Sequence, residues 1–293
     1  MMSNATPAGE IALLVSRLCT EHRLWATDAR FRVRSRGDEN LVVDVADEFI
    51  VRVNVQAQPH RSVAVATEFR LLERLHPELD VAVPKFLAVD ELSGVVIYRK
   101  LPGLPYLLAP RHDPMVMTRD LGKLVRTLHR LSDEVDLPHD HHRIEYWLVE
   151  ATATATRIEP SLPADQRAHI RRFLATPPPA NVTSNTLCHN DLGAEHLLID
   201  PTSGALIGII DWTDAALTDP ARDIALIYRD LGPDAATAVA RGAEVAEPGL
   251  LERAAFLARC KWIEDFAYAI AEDPARERYL ANAHRTFRHT FIG

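Results

Sequence analysis

One stretch of the sequence, residues 187–212, constrains the fold more than any other part of the chain. A polar segment from His189 to His196 precedes a short apolar run, a Pro-Thr-Ser-Gly turn, and a second apolar run that ends at Asp211. Short runs rich in β-branched residues on both sides of such a turn predict a β-hairpin. Asp191 and Asp211 stand at its open end, so we expect the two carboxylates to lie side by side.

The two acids suggest a chemical role for the hairpin. Two neighbouring carboxylates in a partly apolar setting repel each other unless a cation or a shared proton lies between them. Mg²⁺ is the usual cation where nucleotide phosphates bind. Protein kinases place an H-R-D-L-x-x-x-N loop before a later acidic D-F-G, and the segments His189–His196 and Asp211-Trp212-Thr213 follow that spacing. The pattern therefore predicts a phosphoryl-transfer centre.

Two other interpretations of this segment are open. It could be a plain hairpin with two surface acids, or a metal hydrolase that uses His189, Asp191, His196 and Asp211 as ligands. We favour phosphoryl transfer because the H-x-D, the later polar residue, the hairpin and the second acid all occur in register. The order of the elements before the hairpin is also that of a kinase.

Composition restricts the partners of the protein. The chain has 293 residues, 47% hydrophobic content and a net charge of −8, without a basic run that would neutralise a nucleic-acid backbone. We therefore expect no nucleic-acid partner and favour a small molecule, with cationic ones suited to the acidic surface.

Three scattered cysteines predict a reducing compartment. Without a leader or a membrane-spanning run, we expect a cytoplasmic protein that does not bind membranes and is a monomer or weak dimer.

The periodicity of the sequence predicts an α+β fold in two parts. Residues 1–101 contain an opening helix, a helix over residues 62–76 and five predicted strands that would form a mostly antiparallel sheet. Helical periodicity dominates from residue 117 onward, interrupted by the hairpin. We therefore expect two lobes, over residues 1–101 and 102–293; the kinase-like order of elements implies that the first binds nucleotide and the second carries the catalytic and acceptor-binding residues.

The chain resembles the aminoglycoside phosphotransferase-like family of the kinase superfamily. The resemblance is carried by the loop His189–His196 and by Ile210-Asp211-Trp212-Thr213-Asp214-Ala215, and the His at position 196 makes it most similar to the macrolide 2'-phosphotransferases. It implies a bilobal protein-kinase-like fold that transfers the γ-phosphoryl of ATP or GTP, with Mg²⁺, to a hydroxyl of a small molecule. Antibiotic inactivation is the leading expectation, with a macrolide ahead of an aminoglycoside.

The resemblance also implies a role for each motif residue. Asp191 would be catalytic and would accept or orient the proton of the acceptor hydroxyl. Asp211 would hold Mg²⁺. His196 occupies the second metal-binding position, but imidazole is a softer ligand than an amide oxygen, so it could bind phosphate instead. His189 would pack beneath the loop, and Asp223 would hold the loop in shape.

In the N-terminal lobe the resemblance implies a set of nucleotide-binding residues. The turn from Ser35 to Asn40 would cover the phosphates, although its single glycine also suits an ordinary hairpin. Arg52 stands where kinases carry a lysine and could bind phosphate oxygens with its guanidinium. Glu68 would form an ion pair with Arg52. The segment from Tyr98 to Leu101 would meet the purine edge.

The acceptor would lie against the C-terminal helices. Asp214 is the best candidate contact, and Trp262, Glu264 and Asp265 could bind an amino sugar, although a core position for Trp262 and solvated acids are the plainer interpretation. We interpret the His139-Asp140-His141-His142 run as a solvated loop rather than a metal site.

Two further functions stay open. A metabolic kinase of an amino alcohol or sugar would share the whole catalytic set and differ only in its acceptor pocket. A kinase-like protein that binds nucleotide without turnover would explain the single glycine in the phosphate turn and the substitutions at Arg52 and His196. The retention of both Asp191 and Asp211 argues against a pure binding protein.

Overall fold

The computed structural model describes residues 8–36, 39–109, 111–182, 184–271 and 276–292. Two compact units make up the chain, the first containing Met1–His76 with Val83–Leu101 and the second containing Pro77–Ala82 with Pro102–Gly293. The first has an antiparallel sheet and the second is mainly helical, which confirms the predicted α+β class.

The first unit contains two helices and one sheet. Its elements are α1 (Ala8–His22), β1 (Phe31–Arg36), β2 (Asn40–Val45), β3 (Phe49–Asn54), α2 (His60–Leu75), β4 (Phe86–Asp90) and β5 (Val95–Arg99). The strands are arranged in the order β1-β2-β3-β5-β4, and all neighbours pair antiparallel. The apolar run Val83–Val89 is typical of a strand in the sequence, but β4 begins only at Phe86. Pro84 has no amide hydrogen to donate to a ladder, which explains the later start.

Alternating side chains give the sheet an apolar surface on both faces. Val43 and Val51 belong to a buried cluster with residues of α1. Ile50 and Val96 point to the opposite face, where they pack with Val65 of α2. This arrangement follows from the two-residue period of a strand, which turns successive side chains to opposite faces.

The α2 face of the sheet also carries the predicted ion pair. Arg52 on β3 donates to the carboxylate of Glu68 on α2, and both side chains are buried. The guanidinium lies 6.0 Å from the ring centroid of Phe86. A buried charge pair of this kind is tolerated because each charge compensates the other.

We expect Glu68→Gln to lower the free energy of unfolding by about 2 kcal/mol, because the amide removes the charge that balances the buried guanidinium of Arg52. Denaturant unfolding measures this change. Glu73→Gln on the exposed side of the same helix is the matched control, and we expect it to change stability by less than about 0.5 kcal/mol. Equal stability of the two variants would show that the ion pair contributes nothing.

The second unit contains the remaining helices and two small ladders. Its elements are β6 (Leu104–Pro105), α3 (Thr118–Arg130), α4 (Ile144–Ile158), α5 (Ala164–Leu174), β7 (Thr186–Cys188), β8 (Leu197–Ile199), β9 (Leu206–Ile209), β10 (Ala216–Thr218), α6 (Ala221–Leu231), α7 (Pro233–Gly242), α8 (Leu250–Ala269) and α9 (Glu277–Phe291). One ladder has the order β6-β8-β9 and the other pairs β7 with β10. Across the described ranges, no helix combines the length and apolar character needed to cross a bilayer.

Helix α8 is central to the second unit and contacts α4, α6 and α9. The buried ring of Trp262 stacks on Phe266 one turn later and meets Phe287 and Phe291 of α9 edge-on. These aromatic contacts fix the position of α8, and therefore of the polar residues on its opposite side.

Residues Pro77–Ala82 were expected in the first lobe but group with the second unit. The amide of Ala82 donates to the carbonyl of Ile207 at 3.0 Å, and its own carbonyl accepts from the amide of Ile209 at 2.8 Å. These bonds extend the β9 side of the hairpin ladder, which explains why the segment belongs there.

Candidate active site

The predicted hairpin is formed by β8 and β9, which pair antiparallel. The Asp200 carboxylate closes its turn by accepting from the amides of Thr202 at 2.9 Å and Ser203 at 2.7 Å. Beyond β9, Asp211 has a φ of 63°, a left-handed conformation that is unusual for a residue other than glycine. Strained backbone of this kind is concentrated at functional sites.

Loop 189–196, which connects β7 to β8, is held at its start by the carboxylate of Asp223 on α6. The amides of His189 and Asn190 donate to the two oxygens of Asp223 at 2.9 and 2.8 Å. These contacts support the left-handed φ of 67° at Asn190. Burial raises the pKa of Asp223 to about 6, although the two backbone hydrogen bonds oppose the shift. The contact between Asp223 and the loop is the one predicted from the sequence.

His189 packs beneath the loop, as predicted. Its Nε2 lies 3.1 Å from the carbonyl of Ile210, and its Nδ1 accepts from the amide of Asp191 at 3.3 Å. The ring is fully buried against Trp212, with 4.5 Å between the ring centroids. Burial lowers the pKa of His189 to about 3. A neutral ring that donates through Nε2 therefore links the loop to the end of the hairpin.

His196 lies between Asp191, the predicted catalytic residue, and Asp211, the predicted Mg²⁺ ligand. Its Nδ1 is 2.8 Å from the carbonyl oxygen of Asp191 and 3.4 Å from its carboxylate, and its Nε2 is 3.8 Å from the carboxylate of Asp211. Burial disfavours the charged ring, but the charges of Asp191, Glu195 and Asp211 outweigh it and raise the pKa of His196 to about 9. Burial also raises the pKa of Asp191, against the pull of His196.

These donor atoms fit a divalent cation. Two ligands of one octahedral Mg²⁺ can be at most about 4.2 Å apart, because each bond is about 2.1 Å long. The separation of 3.8 Å between His196 and Asp211 is within that limit. One ligand atom each of Asp191, Glu195 and His196 also lies within 4.8 Å of the others. The His196–Asp211 pair therefore meets this limit for one hard cation, whereas a spacing of up to 4.8 Å in the second group does not ensure it.

A cavity of about 550 Å³ within the second unit opens beside these groups. It is lined by Asp140, His142, Tyr146, Trp147, Asn190, Asp191, Glu195, His196, Asp211, Asp214, Arg222, Arg229, Lys261, Glu264, Asp265, Tyr268 and Tyr279. Six of these residues were predicted site residues: Asp191, His196, Asp211, Asp214, Glu264 and Asp265. Such a volume is sufficient for a ligand of drug size.

One face of α8 forms a wall of the cavity. Lys261, Glu264, Asp265 and Tyr268 follow the spacing i, i+3, i+4 and i+7 that places side chains on one side of a helix. Trp262 points into the core instead, where its indole nitrogen donates to the carbonyl of Ala283 at 2.9 Å and its ring has no exposed surface. The structure therefore supports the core position, the plainer of the two interpretations of Trp262, and not a contact with the acceptor.

The cavity also contains residues that sequence reasoning missed. Arg229 on α6 is buried and bonds Asp265 at 2.7 Å, with Glu195 at 3.7 Å. Burial raises the pKa of Asp265 well above its usual range and raises that of Glu195, although Arg229 opposes both shifts. No local motif marks Arg229, because its partners come from distant parts of the chain.

A second part of the lining is aromatic and cationic. The guanidinium of Arg222 lies 3.9 Å from the ring centroid of Trp147, and the ammonium of Lys261 lies 4.8 Å from it. The His139–His142 run was expected to be a solvated loop, and its three histidines are exposed. However, Asp140 and His142 line the cavity, so this loop belongs to the site.

The predicted nucleotide-binding residues Ser35, Asn40, Arg52, Glu68, Tyr98 and Leu101 all lie in the first unit. Ser35 is in β1 and Asn40 begins β2, whereas Gly37 and Asp38 of the predicted phosphate turn lie outside the described residues. Tyr98 is buried against Phe86. Their roles toward a nucleotide stay predictions.

The model of the phosphotransferase enzyme family matches residues 30–257. The chain belongs to this family. Membership confirms the resemblance inferred from the loop His189–His196 and the run Ile210–Ala215.

Individual relatives are more distant. Viomycin phosphotransferase of Streptomyces vinaceus is 26% identical over 171 residues, which are 56% of this chain and 59% of the relative. The chain thus spans less than two thirds of the length of the curated relatives it matches.

Two solved structures show the same fold. The GDP and kanamycin complex of APH(2")-IIia has a TM-score of 0.69 at 18% identity, covering 95% of this chain and 98% of that one. The macrolide 2'-phosphotransferase from Brachybacterium faecium has a TM-score of 0.60 at 24% identity, covering 92% of this chain and 97% of that one. The similarity confirms the predicted fold class.

Proposed function

We propose that the protein transfers the γ-phosphoryl group of ATP or GTP to a hydroxyl of a small molecule bound in the cavity, and that the acceptor is an antibiotic. The observation that carries this proposal is the convergence of Asp191, His196 and Asp211 on one side of that cavity. The family membership and the similarity to phosphotransferases of viomycin, kanamycin and macrolides support it.

In this proposal Asp191 receives the proton of the acceptor hydroxyl. Its side chain is 35% exposed and lines the cavity, so a bound hydroxyl can reach it. The raised pKa makes the Asp191 carboxylate a better proton acceptor than an ordinary aspartate. His189 and Asp223 hold the backbone beside Asp191, so the carboxylate is positioned before the acceptor binds.

We propose that Asp211 and His196 hold Mg²⁺. Bound there, the ion would neutralise charge on the phosphates of the nucleotide. The hydroxyl of Thr213 donates to one oxygen of Asp211 at 2.7 Å and thereby orients this carboxylate. The alternative for His196, a bond to phosphate, is supported by its raised pKa, because a charged imidazole donates but does not coordinate.

We place the nucleotide in the first unit, because the residues predicted to bind it belong to that unit. Arg52 pairs with Glu68 in the way expected of a phosphate-binding cation and its partner. A cytoplasmic location is proposed on the basis of three buried, unpaired cysteines and the need for nucleoside triphosphate.

The lining of the cavity supports a cationic acceptor. Within the described part of the chain, seven carboxylates line it against three Arg and Lys side chains. Glu264 and Asp265 lie on one face of α8, beside Tyr268 and Tyr279, whose rings are 5.2 Å apart. Acidic and aromatic side chains together suit ammonium groups on a ring-shaped molecule. We therefore propose an acceptor with several amines in preference to a macrolide.

A nucleotide-consumption assay tests the proposed function directly. ATP and GTP are supplied separately with Mg²⁺, against a panel that contains viomycin, kanamycin, a macrolide and small amino alcohols. Consumption that depends on one antibiotic would support the proposal and identify the acceptor, and mass spectrometry of the product would show the added phosphate. Consumption that depends on an amino alcohol alone would contradict the antibiotic assignment. A rate that no member of the panel raises above the acceptor-free rate would contradict both the transfer to a hydroxyl and the antibiotic assignment.

The charge of the cavity leads to a salt prediction. We expect KM for a polycationic acceptor to rise about three- to tenfold between low and high NaCl, because mobile ions screen the attraction of the exposed carboxylates. Steady-state kinetics at fixed Mg²⁺ measure this change, with an acceptor that carries one amine as the control. An equal salt dependence for both acceptors would show that the carboxylates do not select for charge.

A further inference from the structure

Asp230, near the end of α6, is a second buried carboxylate that contacts loop 189–196. Its side chain is 1% exposed. One oxygen accepts from the amide of Ala194 at 2.7 Å and from Arg229 at 2.7 Å, and the other accepts from Arg229 and from Asn282, each at 3.0 Å. Four donor groups therefore converge on one carboxylate. Only an ionised carboxylate, whose two oxygens are both pure acceptors, can accept all four hydrogen bonds.

Asp230 and Asp223 have parallel positions on α6. They are seven residues apart, close to two helical turns, so both point to the same side of the helix. Asp223 holds the amides of His189 and Asn190 at the start of the loop, whereas Asp230 holds the amide of Ala194 near its end. One helix thus fixes both ends of the segment that carries Asp191.

Arg229 extends this contact to the wall of the cavity. Its guanidinium bonds Asp230 and reaches Asp265 on α8 at 2.7 Å. The same group packs closely on the loop, since a Cβ at Gly193 would come within 2.8 Å of the Arg229 nitrogen and 2.5 Å of the Glu195 carboxylate. Glycine at this position therefore allows the guanidinium to lie against the loop backbone.

We infer that the Arg229–Asp230 pair positions loop 189–196 relative to the acceptor wall of α8. The inference rests on the proposed function, in which Asp191 and His196 lie in that loop and Asp265 contacts the acceptor. A rigid link between these two parts would hold the acceptor hydroxyl at a fixed place beside Asp191. Such alignment is where a phosphotransferase obtains much of its rate.

The test compares Asp230→Asn with Asp234→Asn, an exposed aspartate four residues later. The amide introduced at position 230 offers one oxygen and one amino group to four donors, so the two hydrogen bonds to one of its positions are lost. The negative charge that strengthens the remaining bonds, including the one from the Ala194 amide, is lost as well. We expect kcat for transfer to the acceptor, and for the slower transfer to water, to fall about 10- to 100-fold, with KM for the nucleotide unchanged. Asp265→Asn, which removes the α8 end of the same link, should in addition raise KM for the acceptor.

Gly193→Ala provides an independent perturbation that leaves every buried charge in place. Its Cβ would push the Glu195 carboxylate and the Arg229 guanidinium away from the loop while keeping both charges. We expect the same loss of kcat with an unchanged nucleotide KM. This variant keeps the inference testable if Asp230→Asn does not fold. Wild-type kcat in either folded variant would overturn the inference.

Hydrogen exchange separates this inference from the proposed function. The Ala194 amide should be protected in the wild type and in Asp234→Asn, and should exchange at least about tenfold faster in Asp230→Asn. This measurement needs no activity, so it stands even if no acceptor in the panel is phosphorylated. Failure of the wild type to transfer phosphate contradicts the proposed function, whereas unchanged protection of Ala194 in Asp230→Asn contradicts the positioning role.

Discussion

Asp191→Asn is expected to lower kcat for phosphate transfer by about 10²- to 10⁴-fold, because the amide cannot accept the proton of the acceptor hydroxyl. The substitution keeps the shape of the side chain. His196 bonds the backbone carbonyl of residue 191, so this contact also remains. We therefore expect KM for the nucleotide to stay within about twofold of the wild-type value. Steady-state kinetics with the acceptor identified by the panel measure both constants.

Stability provides the first check on that result. Burial and the charges of Asp211 and Asp214 raise the pKa of Asp191 against the pull of His196, so the ionised carboxylate is held at some cost in the folded protein. Asp191→Asn should thus melt no lower than the wild type at neutral pH. Asp165→Asn, at an exposed site on α5, is the matched control. A variant with wild-type kcat would remove Asp191 from the mechanism.

The part of the site that the sequence predicted is local in the chain. His189, Asp191 and His196 lie within one loop, and a short hairpin brings Asp211 beside them. A tight turn between two apolar runs leaves little freedom in where their ends lie. For this reason the proximity of the loop residues to Asp211 follows from sequence spacing. The contact of His196 with Asp191 and Asp211 is a consequence of the same spacing.

Helical phase separates Trp262 from the polar wall of α8. A residue on the same side of α8 as both Glu264 and Asp265 should lie three or four positions from each of them. Lys261 and Tyr268 meet that condition and line the cavity, whereas Trp262 is three positions from Asp265 but only two from Glu264. The hydrophobic period visible in the sequence favours a core position for Trp262 over a contact with the acceptor, and the structure shows that position.

The rest of the cavity could not be predicted from local patterns. Trp147 and Arg222 are 75 positions apart in the chain, yet they stack at 3.9 Å. Tyr279 reaches the cavity from α9, the last helix. Contacts of this type depend on how α4, α6, α8 and α9 pack, and packing angles are not encoded in any short motif. Arg229 is a similar case, because its contacts in the site are made with Glu195 of the loop and Asp265 of α8, which are distant in the sequence.

Asp211→Asn is expected to raise the Mg²⁺ concentration for half-maximal rate and to lower kcat/KM for the nucleotide about 100-fold or more, because a neutral amide is a much weaker ligand for a hard cation. The amide oxygen can still accept from Thr213, which now bonds the Asp211 carboxylate at 2.7 Å. The orientation of the side chain should therefore persist while its charge is lost. Titration of activity with Mg²⁺ at several nucleotide concentrations measures the effect.

Glu264→Gln is the appropriate control for this experiment, because it removes a charge from the same cavity and should leave the Mg²⁺ requirement unchanged. His196→Asn distinguishes the two roles open to His196. If the imidazole coordinates the ion, asparagine supplies a harder oxygen ligand and the Mg²⁺ requirement should fall or stay the same. If it binds phosphate as a cation, KM for the nucleotide should rise instead. An unaltered Mg²⁺ requirement in Asp211→Asn would place the metal elsewhere, and the cluster of Asp191, Glu195 and His196 would then be the site to examine.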